Sequence, residues 1–325
     1  MAMGAAIANT YRTNVAPAAV GQREDLSDTI ERIDPTETPM YSNADKRTAK
    51  AILTEWQVQE LIAPAKNVQP EGFEATFAAP KPTDRLGNYC QLAAKSYLVS
   101  DTLDSVVTAG RDRESTYQAL LKGLEIRRDV EFSLVNSQIK KGTDPRELGS
   151  FATWITNGSV GATGTMPAGD GSTAPVPGTD RPLTLALLSS AMQDAYTDGG
   201  QPEYMSFPPN LKVAFSKLAI PPGTGSVAQN EYNMSSVKEG VIIGSVGVFL
   251  TDFGKLDVVV NRIQDAKTVF LVDPDYYDIA TLPGRTFKKT NLAKTGSADK
   301  GMVEWEGTLR VTAPKAHAAV FGAIP

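Results

Sequence analysis

The sequence predicts an α+β fold built around one long helix, and three observations carry that reading. Apolar residues recur at helical spacing through Glu114–Lys141. Strand-like patterning is concentrated in Ala51–Val99 before that stretch and in Val241–Phe321 after it. Residues 1–22, rich in Ala and Gly, carry too little apolar bulk to fold alone.

Composition narrows the function. The chain has 325 residues, long for one ordinary domain, with 41% hydrophobic and 21% charged residues, which excludes wholesale disorder. It contains one histidine, His317, and one cysteine, Cys90. A structural zinc site within one chain normally needs four such ligands, and an internal disulfide needs two cysteines. Any serine hydrolase triad would have to run through His317. Net charge is −5 with a pI near 5.2, the opposite of a nucleic-acid clamp. The first cation is Arg12 and no sustained apolar run surrounds it, so neither a secretion signal nor a membrane span is expected and the chain reads as soluble.

In chain order, Glu24–Ile33 reads as a short amphipathic helix ended by Asp34-Pro35. Ile52, Thr54, Trp56 and Val58 then share one face of a strand, and Tyr89, Gln91, Ala93, Lys95 and Tyr97 one face of another. About thirty loop-like residues with four prolines separate them, which reads as a long projecting hairpin. In Glu114–Lys141, Tyr117, Leu120, Leu121, Leu124, Phe132, Val135 and Ile139 form one stripe, while Ile126, Val130 and Leu134 form a second. Lys140-Lys141-Gly142 is the expected terminator. Asn157–Pro182 reads as a loop. It is followed by a helix over Thr184–Tyr196 closed by Asp198-Gly199-Gly200, a strand over Tyr204–Phe207 and a helix capped by Asn210. Strands are expected at Val241–Leu250, Leu256–Asn261, Thr268–Val272, Met302–Val311 and Ala316–Phe321.

Candidate chemistry is sparse. Gly223–Ala228 spells G-x-G-x-x-A, but Pro221-Pro222 precedes it and polar residues follow, so a loop is the better reading. Asp273, Asp275 and Asp278 lack the glycine and the twelfth-position Glu of a calcium loop and read as a turn. His317 and Cys90 read as packed strand residues. For Arg128, whose stripe is otherwise apolar, two readings stay open: a stem lying along the surface, or a carboxylate partner on another segment or subunit. Arg23–Thr38 holds six acids against two arginines, net −4, whereas Arg285–Lys300 holds five cations against one acid, net +4. Either both are solvated faces or they are complementary patches on neighbouring subunits.

Several ordered strings carry a family resemblance. They are Glu24-Asp25-Leu26-Ser27-Asp28 leading to Pro35-Thr36-Glu37-Thr38-Pro39, Asn88-Tyr89-Cys90-Gln91 leading to Val99-Ser100-Asp101-Thr102, and Arg128-Asp129-Val130-Glu131-Phe132. Leu292-Ala293-Lys294-Thr295-Gly296, Glu306-Gly307-Thr308-Leu309 and Ala316-His317 complete the set. In this order the chain resembles the tailed-phage major capsid proteins with the HK-ninety-seven-type fold. The resemblance implies an N-terminal arm over residues 1–50 and an extended E-loop over 51–98. It implies a peripheral domain over 99–148 and 263–312 with spine helix 114–141, and an axial α/β domain over 149–262 and 313–325. It further implies pentamers and hexamers in an icosahedral virion head, made in the bacterial cytoplasm and enclosing double-stranded DNA by loose, non-specific contact. Portal, scaffold, protease or decoration proteins would be partners, with no membrane and no cofactor.

Inter-subunit contacts are expected at Glu24, Asp25, Asp28, Glu31, Asp34 and Glu37, at Trp56 and Phe73, at Arg128, and at Arg285, Lys288, Lys289 and Lys294. Ordering an arm of this length would cost on the order of 45–90 kcal/mol of backbone entropy, more than its own few apolar residues can offset. Two alternatives are kept: a carboxylate-based polysaccharide hydrolase using Asp273, Asp275 or Glu304, and a capsid decoration or tail protein.

Overall fold

A computed structural model describes residues 30–75, 77, 79–219 and 246–325. The residues expected to open the first helix, Glu24 to Thr29, lie outside these, as do the Gly223–Ala228 motif and the start of the Val241–Leu250 strand. Ile30–Ile33 is described and is exposed, non-helical chain. Pro39 begins α1 (Pro39–Asn43), where its missing N–H costs nothing, and β1 (Asp45–Thr48) follows.

The hairpin forms, with a division that alternation alone did not show. β2 (Leu53–Val58) pairs antiparallel with β3 (Asp84–Tyr89), from Leu53↔Tyr89 to Val58↔Asp84, and residues 59–83 make the loop. Cys90 separates β3 from β4 (Gln91–Ser100), which leaves the hairpin for the main sheet with the expected alternation, Gln91, Ala93, Lys95, Tyr97 and Val99 inward.

After α2 (Asp101–Ser105) comes the long helix α3 (Glu114–Val135), shorter than expected at its carboxyl end. Asn136 stops it by donating from its backbone N–H (3.1 Å) and its Nδ2 (2.9 Å) to the Phe132 carbonyl. Beyond it, Gln138 and Lys140 bond to neighbouring loop backbone instead of continuing the helix. The stripes also exchange importance. Ile126, Val130 and Leu134 are fully buried, whereas Leu120 and Phe132 of the larger stripe are each 57% exposed. The narrow stripe wins because β4 and the late strands pack on it.

α4 (Phe151–Trp154) and β5 (Asn157–Ser159) precede the Gly-rich loop, which ends at β6 (Arg181–Pro182). α5 (Leu185–Thr197) starts where expected, the Thr184 hydroxyl accepting the Leu187 N–H, and ends at Asp198 before Gly199 at φ +93°. β7 (Tyr204–Phe207) matches its expected span. α6 (Pro209–Ala219) starts two residues earlier than expected, so Asn210 lies inside it and donates to the Ala266 carbonyl (2.8 Å) rather than capping. β8 (Val248–Thr251), β9 (Gly254–Val260), β10 (Val269–Val272), β11 (Tyr277–Thr281), β12 (Lys288–Leu292), β13 (Ala298–Val311), β14 (Ala318–Val320) and β15 (Ala323–Ile324) complete the described chain.

Two larger sheets result. In one, β13 pairs with β4 along one edge and with β12 and then β11 along the other, and β1 adds parallel to β11. The second is six-stranded, in the order β5-β14-β10-β7-β9-β8. β10, expected beside the peripheral elements, belongs to this second sheet. Its Phe270 and Val272 face the main core around α3 and Trp305, while Val269 and Leu271 face the core under α5 and α6. A strand covered on both faces reads as an unbroken apolar run, as Val269–Val272 does. At the edge, Gly158 sits at φ +119° against Ala319, where a Cβ would lie 1.9 Å from the Ala319 carbonyl oxygen.

Candidate functional site: a buried polar joint beneath exposed loops

The arm is fastened where α3 crosses α1. Glu131 projects from α3 into a site with no solvent exposure, and its carboxylate accepts the Met40 N–H (2.9 Å), the Tyr41 N–H (2.8 Å) and Asn261 Nδ2–H (2.6 Å). Free N–H groups of a first helical turn need acceptors, and an anion suits them. Burial pushes the Glu131 pKa up, against the pull of these donors. One turn earlier, Arg127 donates from Nε to Thr38 Oγ1 and from Nη2 to Ser42 Oγ, each at 2.8 Å. The Tyr41 ring lies beneath both Lys46 and Arg127. Lys46 donates to the Tyr41 and Ala44 carbonyls, and burial, with Arg127 nearby, lowers its pKa to about 8. The Tyr204 and Tyr277 hydroxyls close the floor at 2.6 Å, Tyr277 also donating to the Met40 carbonyl.

A second knot fixes the hairpin root. Asn88 is fully buried, donates to the carbonyls of Gly149 (3.0 Å) and Leu309 (2.8 Å), and accepts from the Gly149 N–H (2.8 Å). Gln91 accepts from Gln138 Nε2 (2.7 Å) and donates to Ser133 Oγ (3.1 Å). Glu306 holds Arg146 (3.0 Å) and Arg285 (2.8 Å). Asn88→Ala is expected to cost about 2–3 kcal/mol, since it strands several buried backbone groups at once. Urea unfolding of the variant checks this, and wild-type stability would count against the joint.

The lone histidine and the neighbouring carboxylates are held in contacts within the chain. The His317 Nδ1 accepts the buried Asp273 N–H (3.2 Å), and its ring packs on Phe151 at 4.8 Å between centroids. Complete burial holds it neutral, with a pKa lowered to about 3. Asp273 is raised by burial while its carboxylate accepts from the Gln201 and Asp275 N–H groups, making a turn. Asp278 faces Arg310 and Arg47. Glu304 is nearly buried and lies 3.9 Å from Arg285.

The residues expected at subunit contacts divide. Glu24, Asp25 and Asp28 lie outside the described residues. Glu31, Asp34 and Glu37 are exposed and form no ion pair among the described residues. Phe73 is exposed in the hairpin loop with Leu61, Ile62 and Phe77, the last 96% exposed. Trp56 is a correction: it is buried in its own chain, 5.2 Å from the Trp154 ring, because the inward face of β2 closes over the core. Arg285 is likewise committed to Glu306, and Lys294 to Asp101 (2.9 Å) and Asp299 (2.7 Å). Lys288 and Lys289 are exposed on β12. Arg128 is half-buried in a shallow cavity of about 300 Å³ beside Lys95, Glu125, Asp129 and Phe132, and makes no ion pair among the described residues.

Sequence reasoning passed over Glu131, Asn88 and Gln91 as functional residues. The available signal was a carboxylate directly beside the buried stripe at Val130 and Leu134, and polar residues at the end of a strand run.

The comparisons with known proteins agree with this architecture. The sequence profile of the SU10 major capsid proteins matches residues 7–323. The chain is 25% identical to the major capsid protein of Escherichia phage Phieco32, covering 93% of this chain and 95% of that one. Among solved structures, the capsid of a native GTA particle superposes with a TM-score of 0.61 at 13% identity, covering 97% of this chain and all of that one. The capsid of cyanophage A-1(L) gives 0.60 at 12% identity, with 93% and 97% of the two chains covered. These structural likenesses establish the HK-ninety-seven-type fold expected from the sequence. No helix among the described residues is long and apolar enough to cross a membrane. With a fold of shell subunits, a chain fastened at Glu131 and a hairpin fastened at Asn88, and a family profile spanning nearly its whole length, the chain belongs to the SU10 major capsid protein family and is a structural component of a tailed-phage head.

Proposed function

We propose that the chain assembles into pentamers and hexamers that tile a closed icosahedral shell around double-stranded DNA, and that it catalyses no reaction. The observation that carries this reading is the pairing of rigid roots with uncovered ends. Arm and hairpin are locked into the core at Glu131 and Asn88, yet beyond those joints Ile33 is fully exposed and Leu61 is 96% exposed. Apolar side chains in such numbers on projecting segments call for cover by neighbouring copies. Obligate interfaces of that kind run to about 2,000–5,000 Å².

In this reading the β4/β11/β12/β13 sheet with α3 is the peripheral part and the six-stranded sheet the axial part. The boundary is redrawn so that β10 joins the axial side. An acidic chain suits a container wall, because a basic one would hold DNA tightly and impede packing and release. Portal, scaffold, protease and decoration proteins would meet the shell as separate chains. A decoration module has no need of a helix as long as α3, and Asp273, Asp275 and Glu304 serve turns and ion pairs, which disfavours the hydrolase.

Negative-stain microscopy of the full-length protein is expected to show shells or ring-shaped capsomers. Removal of residues 1–34, which spares Thr38 and α1, is expected to leave a folded, assembly-defective subunit. A full-length protein that stays monomeric through several salt and pH conditions would sink the reading.

A further inference from the structure

We infer that a basic cavity beside the start of α3 receives the acidic arm segment of a second copy of this chain, an inference that rests on the shell-building reading above. The cavity encloses about 310 Å³ where β4, β12 and β13 meet that end of α3, and Tyr97, Arg113, Lys289, Asn291, Lys294 and Lys300 line it.

Internal pairing accounts for only part of its charge. Arg113 is held by Asp104 (3.0 Å), and the same carboxylate accepts the Ser115 N–H (3.0 Å), so the helix end itself is already satisfied. Lys294 is held by Asp101 and Asp299, partners that raise its pKa. Lys289 and Lys300 are different. Lys289 lies 5.9 Å from the centre of the Tyr97 ring, Lys300 bonds the Thr295 hydroxyl, and neither has a carboxylate within 4.0 Å among the described residues. Lys288, next along β12, also forms no ion pair there.

The arm offers the complement. Residues 30–37 run without secondary structure, and Glu31, Asp34 and Glu37 recur every third residue along that exposed stretch. In extended chain that spacing separates successive carboxylates by about 10 Å. One acid can therefore enter the cavity while a neighbour reaches the Lys288 side. Residues 30–37 do not lie in their own chain's cavity: the root at Thr38–Tyr41 is fastened at Arg127 and Glu131, and residues 30–34 are open to solvent. Because arm and cavity are different surfaces, their contact is head-to-tail, the kind that closes into rings when the rotation permits. Opposite charges at such a contact set partner and register, and they weaken with salt.

Crosslinking tests the contact directly. Glu31→Cys and Lys289→Cys are placed together in the full-length chain, whose native Cys90 is buried. Oxidation of assembled protein is expected to give a ladder of covalent dimers and larger species, absent from either single variant. The pair K289E/K300E is expected to raise the concentration needed for assembly about tenfold at low salt, equivalent to roughly 1.4 kcal/mol, with E31K/D34K restoring part of it. A labelled peptide of residues 23–38 should bind the wild-type chain and lose about tenfold in affinity against K289E/K300E. If wild-type shells form, K289E/K300E assembles at the same concentration and assembled E31C/K289C gives no ladder on oxidation, the docking is wrong and the shell reading stands. If no shells form but the peptide discriminates the two chains, the docking survives and the shell reading fails. A crosslink confined to single chains overturns the inference.

Discussion

Replacing Glu131 with alanine is expected to lower the unfolding free energy by about 3–5 kcal/mol and to free the root of the arm. The carboxylate is fully buried and satisfies three donors at once: two N–H groups of α1 and the Asn261 amide. Its removal leaves all three facing a cavity that water enters poorly, and losing one partner from a buried charged site is among the costliest single changes. The isosteric Glu131→Gln keeps an acceptor but exchanges an anion for a dipole and adds a competing donor, so a smaller loss, about 1–2 kcal/mol, is expected. Two measurements separate anchoring from general destabilisation. Urea unfolding reports the free energy, and limited proteolysis under native conditions reports whether cleavage moves into residues 30–43. E131A should be cut there well before global unfolding and should assemble poorly even where it remains folded. Wild-type stability with a protected arm would remove Glu131 from the anchor.

Acidification is expected to destabilise the subunit through His317, by as much as about 4–5 kcal/mol between neutral pH and pH 3. The sign follows from where the proton goes. In the unfolded chain the imidazole takes up a proton below its ordinary value near 6.5, whereas the buried ring resists protonation until about pH 3. Through that window the unfolded state holds more protons, so stability falls as pH drops, by about 1.4 kcal/mol per unit at most. The buried Glu131, with its raised pKa, works in the opposite direction, whereas paired carboxylates such as Asp101 and Asp104, held below their ordinary values, add to the loss. Comparing wild type with His317→Gln isolates the effect, because glutamine can still accept from the Asp273 N–H but does not titrate. The variant should lose some stability at pH 7 from poorer packing against Phe151, and its pH profile should be flatter between pH 6 and 4. Parallel profiles would show that His317 does not contribute to acid lability.

Local features proved readable wherever the physics was local. The Thr184 cap, the Asp198–Gly199 stop and the alternation of β4 follow from hydrogen bonds and side-chain periods that span a few residues. β11 and β12 escaped notice for the same reason. Lys288–Leu292 is a polar edge strand with no apolar period, made a strand only by pairing with Gly301 and its neighbours on β13. Tyr277–Thr281 is buried on both faces and shows no alternation. The polar members of the family strings were visible as residues but not as a structure: Glu131 meets Met40 across 91 positions, and Asn88 meets Leu309 across 221.

By itself the sequence determined the class of the fold, the existence of the hairpin and long helix, and the presence of a single histidine and a single cysteine. These depend on composition and on short periods. Only the tertiary structure decided which stripe of α3 became core, that Trp56 packs inward while Phe73 remains outside, and that a carboxylate closes the arm joint. Burial is a property of pairs of surfaces, and the second surface in each case comes from a distant part of the chain that no local period can announce. The same reason separates the lysines of Arg285–Lys300. Arg285 and Lys294 found acids within their own chain, and among the described residues Lys288, Lys289 and Lys300 did not.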